Sequence, residues 1–185
     1  TVRQLEAILL AAAAYPGTIP DVVSARVAAE ARQSAILDSF QFKYDPGNGQ
    51  PVRLVTPNQI EEILGSSLDL TERKKVWEVS KQSGAALKPG LIELRQLRNR
   101  VATEMGFKSF FDLQVADYGM SVAEMRSLTE RLYHETKPLY EQLHAWTRKQ
   151  LALRYKQPTP RLIPAHWLGN RWSQAWPGLV EGINL

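Results

Sequence analysis

An all-α, multi-helix fold with at most one short hairpin is predicted by three observations. Capping signals recur along the chain: Thr56-Pro57-Asn58-Gln59, Ser109-Phe110-Phe111-Asp112 and Ser121-Val122-Ala123-Glu124 each place a hydroxyl three residues before a side chain that can bond back. Apolar residues then recur at helical spacing, best along Met125, Leu128, Leu132, Leu139, Leu143 and Trp146. Strand-type alternation is confined to Phe40, Phe42 and Tyr44, followed after Asp45-Pro46-Gly47-Asn48-Gly49 by Val52 and Leu54. With 185 residues, 44% of them hydrophobic, the chain is long enough to bury a core as one segment over residues 1–185.

The elements follow in order. Thr1–Tyr15 and Asp21–Phe40 read as two helices, because Pro16-Gly17-Thr18-Ile19-Pro20 breaks the pattern between them. Gln41–Val55 carries the hairpin. Thr56 caps a short helix to Leu64, with Pro57 at its first position. A helix from Thr71 to Ser83 and one from Lys88 to Met105 come next, the latter stopped by Gly106. Ser109 caps another. Ser121 opens a long helix to Lys156, in which Pro138 produces a kink rather than an end because the apolar period resumes after it. Gln157–Arg161, with two prolines, is a loop. There is no internal repeat and no low-complexity linker.

Composition excludes several function classes. The longest strongly apolar run, Ala7 to Tyr15, is far short of the roughly 20 residues that span a bilayer, so no membrane span is expected here. It is also too short and too poorly flanked to be a complete signal peptide. Zero cysteine rules out a disulfide scaffold and a thiolate metal site. The net charge of +4 is spread among carboxylates, as in Glu72-Arg73-Lys74-Lys75 and Glu130-Arg131, and reads as a solvated surface. No basic stripe interleaved with aromatics marks nucleic-acid binding.

A search for catalytic groups finds none in this segment. The three histidines are His134, His144 and His166, and no H-E-x-x-H occurs. His134 and His144 are ten apart on one helix, about 15 Å along its axis, too far to share a metal. His166 reads as a structural hydrogen-bonding residue. No serine elbow and no glycine-rich phosphate loop is present.

The richest stretch is Ile163-Pro164-Ala165-His166-Trp167-Leu168-Gly169-Asn170-Arg171-Trp172-Ser173-Gln174-Ala175-Trp176. Pro164 suits a first helical turn, Gly169 breaks it, and Asn170 is placed to cap a further helix. On that helix Trp172 and Trp176 share one face, extended by Leu179 and Val180, while Gln174 lies opposite. Spacing alone leaves the tryptophans as packing residues and Gln174 as a surface residue.

Taken together, ordered blocks of this chain resemble the angiotensin-converting-enzyme-like zinc peptidyl-dipeptidases. The blocks are Val76-Trp77-Glu78, Leu87-Lys88-Pro89, Leu97-Arg98-Asn99, Gly106-Phe107, Pro138-Leu139-Tyr140-Glu141-Gln142-Leu143-His144-Ala145, Arg154-Tyr155 and the stretch from Ile163. Residues 1–70 resemble the family more weakly. The resemblance implies that the chain is the N-terminal portion of a helical ellipsoid with a central channel, supplying lid and channel-wall helices. It implies an enzyme that releases C-terminal dipeptides from oligopeptides, with zinc activating water and a glutamate as general base. The zinc ligands, and a lysine and a tyrosine that help bind substrate, would lie outside this chain in the C-terminal half, its expected partner. Gln174 matches the family's glutamine that binds the substrate's C-terminal carboxylate, to which its amide can donate.

Two departures point to a bacterial-type relative. Val115 stands where the animal enzymes carry a chloride-binding arginine, which makes chloride doubtful, and their cysteines are missing. The resemblance further implies a periplasmic or secreted protein. The chain opens at Thr1 rather than methionine, which leaves room for a leader. The alternative reading, from a different class, is a catalytically silent helical interaction module or truncated relative.

Overall fold

A computed structural model of the chain describes residues 2–47, 49–174 and 179. Among them are seven α-helices and one two-stranded ribbon: α1 Val2–Ala12, α2 Pro20–Asp38, β1 Phe42–Tyr44, β2 Arg53–Val55, α3 Pro57–Ser66, α4 Leu70–Val79, α5 Ser83–Glu104, α6 Phe110–Asp117 and α7 Val122–Tyr155, followed by a 3-10 turn at Ala165–Trp167. The all-α expectation holds, with the hairpin as its single exception.

The chain divides into two compact units, residues 1–39 with 86–136 and residues 40–85 with 137–185. The first packs Ala13, Ala102 and Leu113, with Leu10, Phe107 and Phe110 against them. Its α2 and α5 are also joined by charge: Glu30 pairs with Arg26 and with Arg98 at 3.0 Å each. Helix α5 ends in a Schellman closure. Gly106, at φ 80°, turns the chain so that Phe107 N donates to Ala102 O and Gly106 N to Thr103 O. Asn99 Oδ1 then receives Phe110 N at the start of α6. Val115, the position in question for chloride, is buried in α6.

The second unit is built on the ribbon and on α3 and α4. Phe42 pairs with Val55, Lys43 with Leu54 and Tyr44 with Arg53. Phe42, Tyr44, Val55, Ile60, Leu64, Val76 and Val79 form its core. Gln82 takes both main-chain groups of Lys43: Lys43 N donates to its Oε1 at 3.1 Å, and its Nε2 donates to Lys43 O at 3.0 Å. Thr56 and Gln59 make the predicted reciprocal capping box on α3.

Several boundaries differ from those expected. Helix α1 ends at Ala12 rather than Tyr15. The cap of α4 is Asp69, whose carboxylate accepts from Thr71 N and Glu72 N, so Thr71 is already inside the helix, and α4 ends at Val79 rather than Ser83. Helix α5 begins at Ser83, not Lys88, and runs through Pro89. The proline forfeits one hydrogen bond to Ala85, a residue that is exposed. Helix α7 likewise continues unbroken through Pro138. Much of its predicted apolar stripe is exposed among the described residues, including Leu132, Leu139 (72% exposed), Leu143 and Trp146.

Candidate functional site

The stretch after α7 is fixed to the second unit by one buried cation. Arg73 lies on the inner stripe of α4 with Val76 and Val79 and is 1% exposed. Its Nη1 donates to Leu64 O at 2.7 Å and to Ser67 O at 2.8 Å. These carbonyls belong to the last turn and cap of α3, where helical carbonyls lack partners and a cation meets the negative end of the dipole. The other side of the guanidinium reaches the later stretch: Nε donates to His166 O at 2.8 Å and Nη2 to Leu168 O at 3.0 Å. One planar side chain thereby ties residues 64–67 to residues 166–168. The expectation that Arg73 belongs to a solvated charged face is overturned. Its spacing of three from Val76 and six from Val79 was the available signal that it shares their buried side.

Around this hub Tyr155, at the end of α7, donates its hydroxyl to Trp167 O at 3.0 Å, and its ring lies 5.4 Å from the Trp167 ring. Leu151, Tyr155, Trp167 and Leu168 are buried together. A cavity of about 310 Å³ opens among Leu64, Arg73, Leu151, Tyr155, Trp167 and Leu168. Burial raises the Tyr155 pKa, partly countered by Arg73 and Arg154, so the phenol stays protonated and remains a donor. Burial also lowers the His166 pKa, and Arg73 and Lys74 lower it further against the opposing pull of Glu78. What Arg73 holds is the main-chain oxygen of His166, a contact that does not depend on the imidazole.

Residues 170–174 form a tight turn, not the helix expected from Asn170. Ser173 N donates to Asn170 O at 3.0 Å, and Asn170 Oδ1 accepts from Gln174 N at 2.9 Å. Ser173 sits at φ 59°, outside helical backbone, so the expected helix is not formed over residues 170–174. Trp176 and Val180 lie outside the described residues. Trp172 is exposed and is approached by Arg171 and by Lys81, 4.9 Å and 5.3 Å from its ring. Gln174 is exposed at the end of this turn.

The turn is held at Arg171. Its N–H donates to Glu61 Oε2 at 3.2 Å, its Nε lies 3.1 Å from Glu61 Oε1 without a straight hydrogen bond, and its carbonyl accepts from Lys81 Nζ. Burial lowers the Lys81 pKa, and Arg171 adds to that effect. Glu61 and Lys81 were not distinguishable from ordinary surface charges in the sequence, because their partner is 110 and 90 residues away.

The described residues do not fit a catalytic zinc site. No group of three or more His, Asp or Glu converges among them. His134 stands against Tyr133, and His144 stacks on Tyr140, on α7. Among the described residues no helix is long and apolar enough to cross a membrane.

A family model described as angiotensin-converting enzyme matches residues 31–184. The angiotensin-converting enzyme of Theromyzon tessulatum is 35% identical over 124 residues, 65% of this chain and 20% of that protein. The angiotensin-converting enzyme-like protein Ace3 of Mus musculus is 33% identical over 129 residues, 66% of this chain and 17% of its own length. The angiotensin-converting enzyme of Sus scrofa is 32% identical over 132 residues, 68% of this chain and 10% of its own length. The chain thus spans about a fifth or less of the length of these curated relatives. With a family match over most of its length and ordered blocks of shared sequence, this chain belongs to the angiotensin-converting enzyme family of zinc metallopeptidases.

Proposed function

We propose that this chain is the N-terminal helical part of a zinc peptidyl-dipeptidase that releases C-terminal dipeptides from oligopeptides. Its role is to supply lid and channel-wall helices and one substrate contact, the amide of Gln174, for the peptide's terminal carboxylate. The observation that carries this reading is the Ile163–Gln174 stretch. The family match covers it, and it is fastened at Arg73 and Arg171 while Gln174 stays exposed at its end. Zinc and its ligands belong outside this chain, in the C-terminal half of the enzyme. The exposed Leu139, Leu143 and Trp146 on α7 suit a surface that meets that half. A buried valine at position 115 and the lack of cysteine favour a bacterial-type relative without the first chloride site, working in the periplasm or outside the cell.

The test is Gln174→Ala in the complete enzyme, assayed on matched peptides with free and amidated C-termini. A hydrogen bond to a charged group is worth about 1.5–3 kcal/mol, so kcat/KM for the free acid should fall roughly ten- to a hundredfold. Amidated peptides should lose little. Equal losses on both would remove the carboxylate role.

A further inference from the structure

We infer that Glu61 is a positioning residue for Gln174; the inference rests on the carboxylate-binding role proposed above. The turn at residues 170–174 is closed by its own bonds, Ser173 N to Asn170 O and Gln174 N to Asn170 Oδ1. A third bond, from Ser173 Oγ to Ala165 O at 3.1 Å, ties it to the preceding 3-10 turn. The first two bonds set the shape of the turn and the third joins it to the 3-10 turn, but none joins it to a helix directly. Arg73 grips the stretch only as far as Leu168, and Gly169, with no Cβ to restrict it, follows at once. Beyond Gly169 the seat is Arg171.

Glu61 holds Arg171 twice, through the main-chain N–H at 3.2 Å and beside Nε at 3.1 Å. Its carboxylate belongs to α3, whose end Arg73 locks from the other side. The pair is partly solvated, with side chains 25% and 35% exposed, so its Coulomb attraction is weak. Its value is geometric: one hydrogen bond to the main chain and one ion-pair contact to the side chain of the same residue restrict the angle at which the turn leaves the helix. Lys81 secures the same residue by its carbonyl and keeps it near α4. Removing the carboxylate of Glu61 leaves the turn attached at Lys81 and, through Ser173 Oγ, at Ala165, an axis about which it can pivot. Gln174, three residues on, then moves with it. Displacements of about 1 Å at a contact cost up to ~100-fold in rate when they misplace a substrate.

Two measurements decide the matter. The first is hydrogen exchange on this chain. Glu61→Ala should speed exchange of the Arg171 and Gln174 amides by about tenfold or more, as expected for loss of a local closing contact, while Ile60 and Val76 amides keep their protection. Unchanged exchange at Arg171 and Gln174 would overturn the inference. The second is kinetics of the complete enzyme. Glu61→Ala should lower kcat/KM for free-carboxylate peptides roughly five- to tenfold, through KM, with under about twofold change for amidated peptides. Glu61→Gln, which keeps an acceptor for Arg171 N, should recover most of the loss. A merely structural role for Glu61 would lower both substrates alike. If Gln174→Ala erases the discrimination between free and amidated peptides and Glu61→Ala does not, positioning by Glu61 is wrong. If Gln174→Ala leaves the discrimination intact, the carboxylate role itself is wrong, and faster exchange in Glu61→Ala would then show a latch without that function.

Discussion

Replacing Arg73 by methionine should cost this fold a large share of its stability. Methionine fills similar space and packs well in irregular apolar surroundings, so the perturbation is loss of donors rather than creation of a void. Four carbonyls lose their partner: Leu64 and Leu168 in buried surroundings, Ser67 and His166 nearer to solvent. An orphaned buried acceptor costs about 1–3 kcal/mol, so the two buried ones amount to roughly 2–6 kcal/mol. The two nearer solvent can bond water and add little. Against this, the variant no longer carries a desolvated guanidinium, which returns part of the loss. A net destabilisation of about 3–4 kcal/mol follows, set against the 5–15 kcal/mol typical of whole domains. Urea titration followed by tryptophan fluorescence reads it as a shift in midpoint at constant slope. Arg73→Lys should fall in between, because an ammonium on a flexible stem cannot reach carbonyls on both sides at once. A methionine variant within about 1 kcal/mol of the parent would refute the reasoning, since four carbonyls would then have found partners without the fork.

Further outcomes are expected elsewhere. The His166 pKa is lowered in the folded chain, so the unfolded chain binds the extra proton first. Stability should therefore be full above about pH 6.5 and fall as pH drops from there through the lowered folded value; His166→Gln should flatten that part of a pH-dependent melt. Lys156 follows α7 at φ 51°, with Gln157 N donating to Ala152 O in the closure that usually places glycine there. Lys156→Gly should stabilise by about 1 kcal/mol, seen as a raised Tm, and a lowered Tm would show that the lysine side chain outweighs the backbone strain.

Legibility from sequence followed the range of the interactions. The Thr56 capping box was readable because both partners lie within four residues and each side chain has one sensible target. The ribbon was readable from alternation and two glycines. The start of α5 was misread because Pro89 is a strong local signal of a helix boundary, yet Ala85-Ala86-Leu87-Lys88 before it are good helix formers. The turn at Asn170 was misread for a related reason. A cap residue accepts from the amide two or three ahead in a helix, and here it accepts from the fourth, at Gln174, with Ser173 outside the helical region. Arg73 looked like one charge in a charged run; its role depends on carbonyls 93 and 95 residues away. Gln174 stood out by family resemblance alone, since no local rule separates it from any exposed amide.

The grip of Gln82 on Lys43 has a consequence for how this protein behaves in crowded solution. A two-stranded ribbon exposes a row of main-chain donors and acceptors, and an incoming extended peptide can add to it as a third strand. At β1 that place is already taken: a side-chain amide imitates the strand, offering one acceptor and one donor at 3.1 and 3.0 Å. Because the imitation comes from a side chain, it satisfies Lys43 without presenting a fresh edge of its own. Strand-by-strand growth from β1 is thereby blocked at the one outward-facing residue of a three-residue strand.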